Sequence, residues 1–125
     1  HRRGLRVMAG LTNDTKGTML AAFGGIADHV SLHSADPGTN GANEISGGSY
    51  ARKSVAWATP SSGSMVSSGQ VVFNVASGVT ITHLGYWSEA TGGTFYGSRA
   101  LNANQTFGSA GTYTIAAGSI SEAIS

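Results

Sequence analysis

The chain has 125 residues, of which 10% are charged, and its net charge is +1. Long solvent-exposed helices need Glu, Lys and Arg on their wet face, so this composition excludes a protein built mainly from them. The chain has no cysteine, which excludes disulfides and thiolate metal sites, and no apolar stretch reaches the roughly 18 residues of a membrane-spanning helix. A nearly neutral body rich in Gly, Ser and Thr favours strands and turns. Its surface is either solvated through Ser and Thr or largely covered in an assembly.

The first eleven residues, HRRGLRVMAGL, are predicted to be a basic arm ahead of one domain that spans residues 12–125. Arg2, Arg3 and Arg6 could contact an acidic neighbour or nucleic acid, although a short flexible tail is the commoner state of a terminus. The arm lacks the long apolar core of a signal peptide, and Met8 would be a natural start.

Residues 12–25, TNDTKGTMLAAFGG, form the predicted helix. Thr12 or Asn13 can cap its first turn. Residues at a spacing of four share one face of this helix, namely Thr15, Met19 and Phe23. Because Gly17 weakens a helix, tertiary contact must hold it in place. The pair Gly24-Gly25 is predicted to end it, since glycine accepts the left-handed conformation found at helix ends.

From residue 26 onward the apolar pattern changes to a period of two, which predicts strands. The predicted strands are 26–33, 49–57, 70–75, 79–87, 94–101, 105–107, 111–116 and 119–124. The polar stretch 59–69 is predicted to be a loop. Turn signals about every 8–12 residues indicate an all-β fold, mainly an antiparallel β-sandwich of jelly-roll-like form, with one short N-terminal helix.

The segment ADPGTNGANEISGGSYAR, residues 35–52, is a long loop between two predicted strands. Loops of this length in compact domains are mostly functional or held by a partner. The loop and the arm supply the predicted interface residues, which are Arg2, Arg3, Arg6, Asp36, Asn40, Asn43, Glu44, Tyr50 and Arg52. The Asn and Asp side chains are expected to fold the loop onto its own backbone. A calcium loop is the alternative, but Gly38 and Gly47 stand where an EF-hand needs ligands.

No catalytic residue, cofactor or metal is predicted. Ser31, His33, Ser34 and Asp36 are close in sequence, but no strand-to-helix nucleophile motif surrounds them. Along one strand, His29 and His33 would lie about 13 Å apart, which is too far to share an ion. Histidines on a polar face, or partly buried ones, are therefore the favoured interpretation.

Five aromatic side chains could stack on a sugar ring: Trp57, Tyr86, Trp87, Phe95 and Tyr96. Core packing is the favoured interpretation, because Trp87 and Phe95 flank a short turn and can pair across it. Nucleic acid is not a predicted partner, since outside the arm only Arg52 and Lys53 form a basic pair.

Three phrases of the sequence together resemble a family of small virion proteins of tailed phages. They are SLHSADPGTNGANEISGGSYARKSVAW (31–57), FNVASGVTITHLGYWSEATGGTFYG (73–97) and QTFGSAGTYTI (105–115). Proteins of this family are described as tail-fibre-like or as capsid surface proteins. The resemblance brings no catalytic residues with it.

The resemblance implies a non-enzymatic structural protein of the virion, present in the host cytoplasm during assembly. We predict a capsid decoration protein on the outer head surface, because the chain is short and lacks the shaft or repeats of a fibre. Its predicted partners are the major capsid protein and other copies of itself, as a homo-oligomer such as a trimer. The alternative is a tail-fibre or tail-tip domain that binds a host-surface glycan through exposed aromatic side chains.

Overall fold

The computed structural model describes residues 10–124, which form one helix and eight strands. Helix α1 spans Asn13–Ile26. The strands are β1 (His29–His33), β2 (Lys53–Ser54), β3 (Ser64–Val66), β4 (Val71–Val75), β5 (Val79–Trp87), β6 (Phe95–Phe107), β7 (Gly111–Ile115) and β8 (Ser121–Ala123). The prediction of an all-β fold with one short N-terminal helix is confirmed. Residues 1–9 of the predicted arm, with Arg2, Arg3 and Arg6, lie outside the described residues.

The strands form one four-stranded sheet, in the order β2-β1-β5-β6, and two two-stranded sheets, β3-β8 and β4-β7. All of these pairs are antiparallel. The four-stranded sheet and the β4-β7 pair share a single buried cluster, in which Leu32 of β1 and Ile81 of β5 join Phe73 of β4 and Ile115 of β7. Apolar faces of separate sheets therefore enclose one core, as in a sandwich.

Thr12 caps helix α1, as predicted. Its hydroxyl accepts a hydrogen bond from the Thr15 amide at 3.2 Å, and Asp14 lies in the first turn, where a negative charge complements the helix dipole. Leu20, not Met19, is the buried apolar residue of the helix. The predicted face of Thr15, Met19 and Phe23 is thus only partly correct, because Phe23 packs on the core and Met19 does not. Within residues 10–124, no helix combines the length and the apolar character that crossing a bilayer requires.

The helix continues through Gly24 and Gly25 and ends at Ile26, where the Ala27 amide donates to the Phe23 carbonyl at 2.8 Å. The prediction that the glycine pair ends the helix is wrong. A Cβ on Gly24 would lie 3.1 Å from Cδ1 of Trp57, so the missing side chain admits this indole against the helix. Glycine serves here for close packing and not for a left-handed turn.

Two short strands differ from the sequence prediction. The predicted strand 49–57 is reduced to β2, and the predicted loop 59–69 contains β3. Strand β3 was not predicted because its partner is far away in the sequence: β3 pairs with β8, where Met65 lies opposite Glu122. Local alternation cannot reveal such a pairing.

The later strands follow the prediction closely. In β4, Val71, Phe73 and Val75 face the core, and β5 begins and ends where expected.

The two predicted strands 94–101 and 105–107 are one strand, β6. Within it, residues 101–104 stand opposite the single residue Thr82 of β5, between the pairs Ile81–Gln105 and His83–Ala100. This bulge shifts the inward register, so Ile81 and Leu84 are both buried and the strict alternation predicted for β5 is wrong.

Candidate interface loop

The interface loop, residues 34–52, runs from the end of β1 to the start of β2 and is folded on its own backbone. Asp36 Oδ1 accepts a hydrogen bond from the Gly38 amide at 2.9 Å, and Asn40 Oδ1 accepts one from the Ala42 amide at 3.2 Å. The Asn43 side-chain amide donates to the Asp36 carbonyl at 3.0 Å. These are the turn contacts expected from the sequence. They fix the shape of the loop while the three side chains remain at the surface.

A second group of loop side chains faces inward and is centred on Glu44. Arg52 makes a two-pronged ion pair with the Glu44 carboxylate, with Nη2–Oε1 at 3.0 Å and Nε–Oε2 at 3.1 Å. The Arg52 and Glu44 side chains are only 10% and 22% exposed. Parallel hydrogen bonds of this kind are among the stronger polar contacts in proteins.

Tyr50 completes this group and ties it to β1. Its hydroxyl donates to Glu44 Oε2 at 2.8 Å and accepts a hydrogen bond from the Leu32 amide at 3.0 Å. Burial raises the pKa of Tyr50 well above its ordinary value, and the bond donated to Glu44 acts in the same direction. The hydroxyl therefore stays protonated and can donate to the carboxylate at neutral pH.

Arg52 also fastens the loop to the turn between β5 and β6. Its Nη1 donates to the carbonyls of Glu89 and Gly92, at 3.1 and 2.7 Å. Its Cζ lies 3.5 Å from the centroid of the Trp87 ring, in the geometry of a cation–π contact. One side chain thus joins the loop, the end of β5 and the turn that follows it.

The backbone of the loop approaches Trp87 as well. A Cβ on Gly41 would lie 2.5 Å from Cζ2 of that ring, and Gly41 has a φ of +77°. Both the space and the backbone angle require glycine at this position. Gly41 therefore allows the loop to lie directly on Trp87.

Ser31, His33 and Trp87 form a buried hydrogen-bonded chain beneath the loop. His33 Nδ1 contacts the Ala42 carbonyl at 2.8 Å and must carry the proton there, because a carbonyl only accepts. His33 Nε2 then accepts from the Ser31 hydroxyl at 2.6 Å, and Ser31 Oγ accepts from the Trp87 indole at 2.8 Å. Burial lowers the pKa of His33, which favours this neutral form.

The hydrogen-bonded chain shows how the fold uses Ser31 and His33, which are close together in the sequence. Ser31 and His33 are hydrogen-bonded, but both are fully buried, and a carbonyl rather than Asp36 orients the imidazole. A substrate cannot reach the Ser31 hydroxyl in this arrangement. The expectation of a polar-face or partly buried histidine is wrong for His33, because β1 lies inside the four-stranded sheet, between β2 and β5, and the interface loop lies over His33.

The other candidate sites of the sequence are arranged as follows. Nowhere in residues 10–124 do three potential metal-ligating side chains come together. Tyr86 and Trp87 are buried, and Trp87 pairs with Phe95 at a ring separation of 5.1 Å, as predicted from their places on either side of the turn. Trp57 donates its indole N–H to the Ala27 carbonyl at 3.1 Å and packs on the core. Tyr96 is exposed.

The predicted interface residues that the structure describes therefore fall into two groups. Asp36, Asn40 and Asn43 are exposed on the loop, whereas Glu44, Tyr50 and Arg52 hold it from within. The contacts by which Trp87, Gly41 and His33 seat the loop were not predicted from the sequence. One signal was present: Glu44 is the only charged residue between Asp36 and Arg52.

Comparison with known proteins supplies the last observation about the chain. No curated protein matches it. A model of the family described as Podophage GP4 fiber I protein gp80 matches residues 12–122, which include helix α1, strands β1 to β7 and the interface loop. The chain therefore belongs to the Podophage GP4 fiber I protein gp80 family.

Proposed function

We propose that the protein is a non-enzymatic structural subunit of a fibre on the phage virion and works by binding neighbouring virion proteins. The observation that carries this proposal is the family match, which runs from the helix cap at Thr12 into the last strand, β8. Because the match includes the interface loop and nearly all regular elements, it applies to the surfaces of the protein as well as to its core.

The interface loop supports a binding role because it is held in one shape before any partner arrives. Its turn contacts and the Glu44–Arg52 pair fix both its outer and its inner side. A surface that is already ordered loses less conformational entropy on association. Asp36, Asn40 and Asn43 can thus present hydrogen-bonding groups to another protein without rearrangement of the loop.

Strand β6 supports the same role, because it lies at one end of the four-stranded sheet. Most of its residues are exposed, and Arg99 is its only charged residue from Phe95 to Phe107. Edge strands usually carry charges or proline, which oppose pairing with other chains. A long edge with so little protection suits a strand that is covered when virion proteins assemble.

The buried rings favour protein contacts over the host-glycan alternative. Tyr86 and Trp87 have no free face for a sugar, which leaves Tyr96 as the most exposed ring of the five predicted for stacking. Sugar-binding sites normally combine a ring with convergent polar groups. The proposal therefore rests on protein partners. The capsid-decoration role stays a prediction from the sequence.

The experiment that tests this function is quantification of the protein in purified virions, by mass spectrometry with an isotope-labelled peptide. Particles are also separated into heads and tails. We expect the protein in the tail-bearing fraction, at a copy number far below that of the major capsid protein. Recovery with the heads, at a copy number similar to that of the major capsid protein, would favour the decoration role. Absence from washed particles would refute any virion role.

A further inference from the structure

The interface loop carries the dipeptide Asn40–Gly41, and no other asparagine of the chain is followed by glycine. The Asn40 side chain is exposed, and the residue lies in a turn outside the strands. A backbone nitrogen can attack the carboxamide of the preceding asparagine most easily when its own residue is glycine, because no Cβ shields it. The loop therefore exposes a carboxamide beside an unhindered backbone nitrogen.

The turn contact of Asn40 folds its side chain back over the peptide bond to Gly41. Oδ1 accepts a hydrogen bond from the Ala42 amide at 3.2 Å, so the side chain reaches past the Gly41 nitrogen to the next residue. Negative charge develops on Oδ1 when Cγ is attacked, and the Ala42 N–H is already placed to stabilise it. Within residues 10–124, the Gly41 N–H donates no hydrogen bond that the attack would have to break.

The other asparagines lie in less favourable surroundings. Asn43 is exposed in the same loop, but Glu44 follows it, and its side-chain amide is held by the Asp36 carbonyl at 3.0 Å. The remaining four lie in the helix or in strands, where hydrogen bonds fix the backbone, namely Asn13, Asn74, Asn102 and Asn104. Among the asparagines of the chain, Asn40 thus combines the following glycine, exposure and a suitable turn.

From these observations we propose that Asn40 is a site of spontaneous deamidation in the folded protein. The Gly41 nitrogen bonds to Cγ of Asn40 and gives up its proton, the Cγ–Nδ2 bond breaks, and Nδ2 leaves with that proton as ammonia. Water then adds to one of the two carbonyl carbons of the cyclic imide and breaks its bond to the Gly41 nitrogen, which regains a proton. Cleavage at Cγ gives aspartate, and cleavage at the main-chain carbonyl gives isoaspartate.

Either product adds a negative charge to the exposed face of the loop, which already carries Asp36. Aspartate keeps the turn, because its carboxylate can still accept a hydrogen bond from the Ala42 amide. Isoaspartate lengthens the main chain ahead of Gly41 and Ala42, which contact Trp87 and His33, and so loosens the loop from the body of the protein. The proposal concerns this chemistry alone and holds whichever virion protein the loop contacts.

The test is incubation of the folded full chain in warm, mildly alkaline buffer, followed by mass spectrometry of the peptide that contains the loop. We expect residue 40 to lose its amide about tenfold faster than Asn43, the internal control in the same peptide. Asn40→Ser is the matched variant, because Ser can accept the Ala42 hydrogen bond but has no amide to lose. Anion exchange should separate a more acidic species from the wild type and none from this variant. Retention of the amide at residue 40, or equal loss at Asn43, would overturn the proposal.

A parallel incubation in guanidinium chloride separates the effect of the fold from that of the dipeptide. The turn contact is lost in the unfolded chain, so the rate there reflects the local sequence. Because the folded turn presents Asn40 to the Gly41 nitrogen, we expect the folded chain to deamidate at a rate within about tenfold of the unfolded one. A slower reaction than this in the folded chain would show that the loop protects Asn40, and it would refute the proposal.

Discussion

The guanidinium of Arg52 lies over the indole of Trp87, with Cζ 3.5 Å from the ring centroid. The same guanidinium holds Glu44 within the loop and two carbonyls in the turn between β5 and β6. Planar stacking and a forked set of donors occur together only in arginine. This residue therefore joins the interface loop to the end of β5 and to the turn that follows it.

Replacement of Arg52 tests that role in stability. Arg52→Ala leaves the largely buried Glu44 carboxylate without its partner, and we expect a loss of about 2–4 kcal/mol in the free energy of unfolding. Arg52→Lys keeps the charge but loses the fork and the planar stack, so it should lie between the alanine variant and the wild type. Urea unfolding measures both losses. If Arg52→Lys were as stable as the wild type, the positive charge alone would be sufficient to hold the loop.

Gly41 tests the close approach of the loop to Trp87. Gly41→Ala places a methyl group against the ring at a positive φ, whereas Gly38→Ala meets the same backbone strain with no atom within 4 Å of the new Cβ. We expect a loss of about 1 kcal/mol for Gly38→Ala, and about 1–3 kcal/mol more for Gly41→Ala. Thermal unfolding of the two variants gives the difference. Equal losses would mean that the loop does not rest on Trp87.

His33 gives the protein a stability that depends on pH. Burial lowers its pKa below the ordinary value of 6.5, and nearby His83 and Arg52 act in the same direction, while Glu44 and the bond to Ala42 oppose it. Between the folded and unfolded pKa values the unfolded state binds more protons, so stability falls as the pH drops below about 6.5. Unfolding temperatures measured from pH 7.5 to 5 should decline more steeply for the wild type than for His33→Gln. Identical slopes would contradict this assignment.

A charge introduced on strand β6 should reduce assembly without changing the stability of the protein. Asn104 of β6 and Ser77, in the turn between β4 and β5, are both exposed, and a Lys at either position should alter the free energy of unfolding by no more than about 0.5 kcal/mol. Only Asn104→Lys is expected to lower the amount of protein in virions, because a charge on an edge opposes strand pairing. Comparison of the two variants in virions that carry them in place of the wild type tests this. Full incorporation of Asn104→Lys would remove β6 from the contact surface.

The sequence predicted those features that depend on residues only a few positions apart. The hydroxyl of Thr12 caps the helix three residues on, and the alternation of Val71, Phe73 and Val75 is visible within one strand. The turn contacts of Asp36 and Asn40 span only two residues, so the composition of the loop was sufficient to predict them.

Contacts between distant residues could not be predicted in this way. Arg52 reaches carbonyls that lie 37 and 40 residues further along the chain, and β3 pairs with a strand near the other end of the sequence. Backbone acceptors have no sequence signature, and a three-residue strand gives too little alternation to recognise. The scarcity of charged residues was the available clue, since Arg99 pairs with Glu122 at 3.2 Å and Arg52 pairs with Glu44 at 3.0 Å.

The central claim is that this protein is a fibre subunit, and electron microscopy of virions labelled with antibodies against the purified protein tests it most directly. The account predicts gold particles on the tail appendages of wild-type virions, and none on virions from which the gene has been deleted. Label spread evenly over the capsid surface would contradict it.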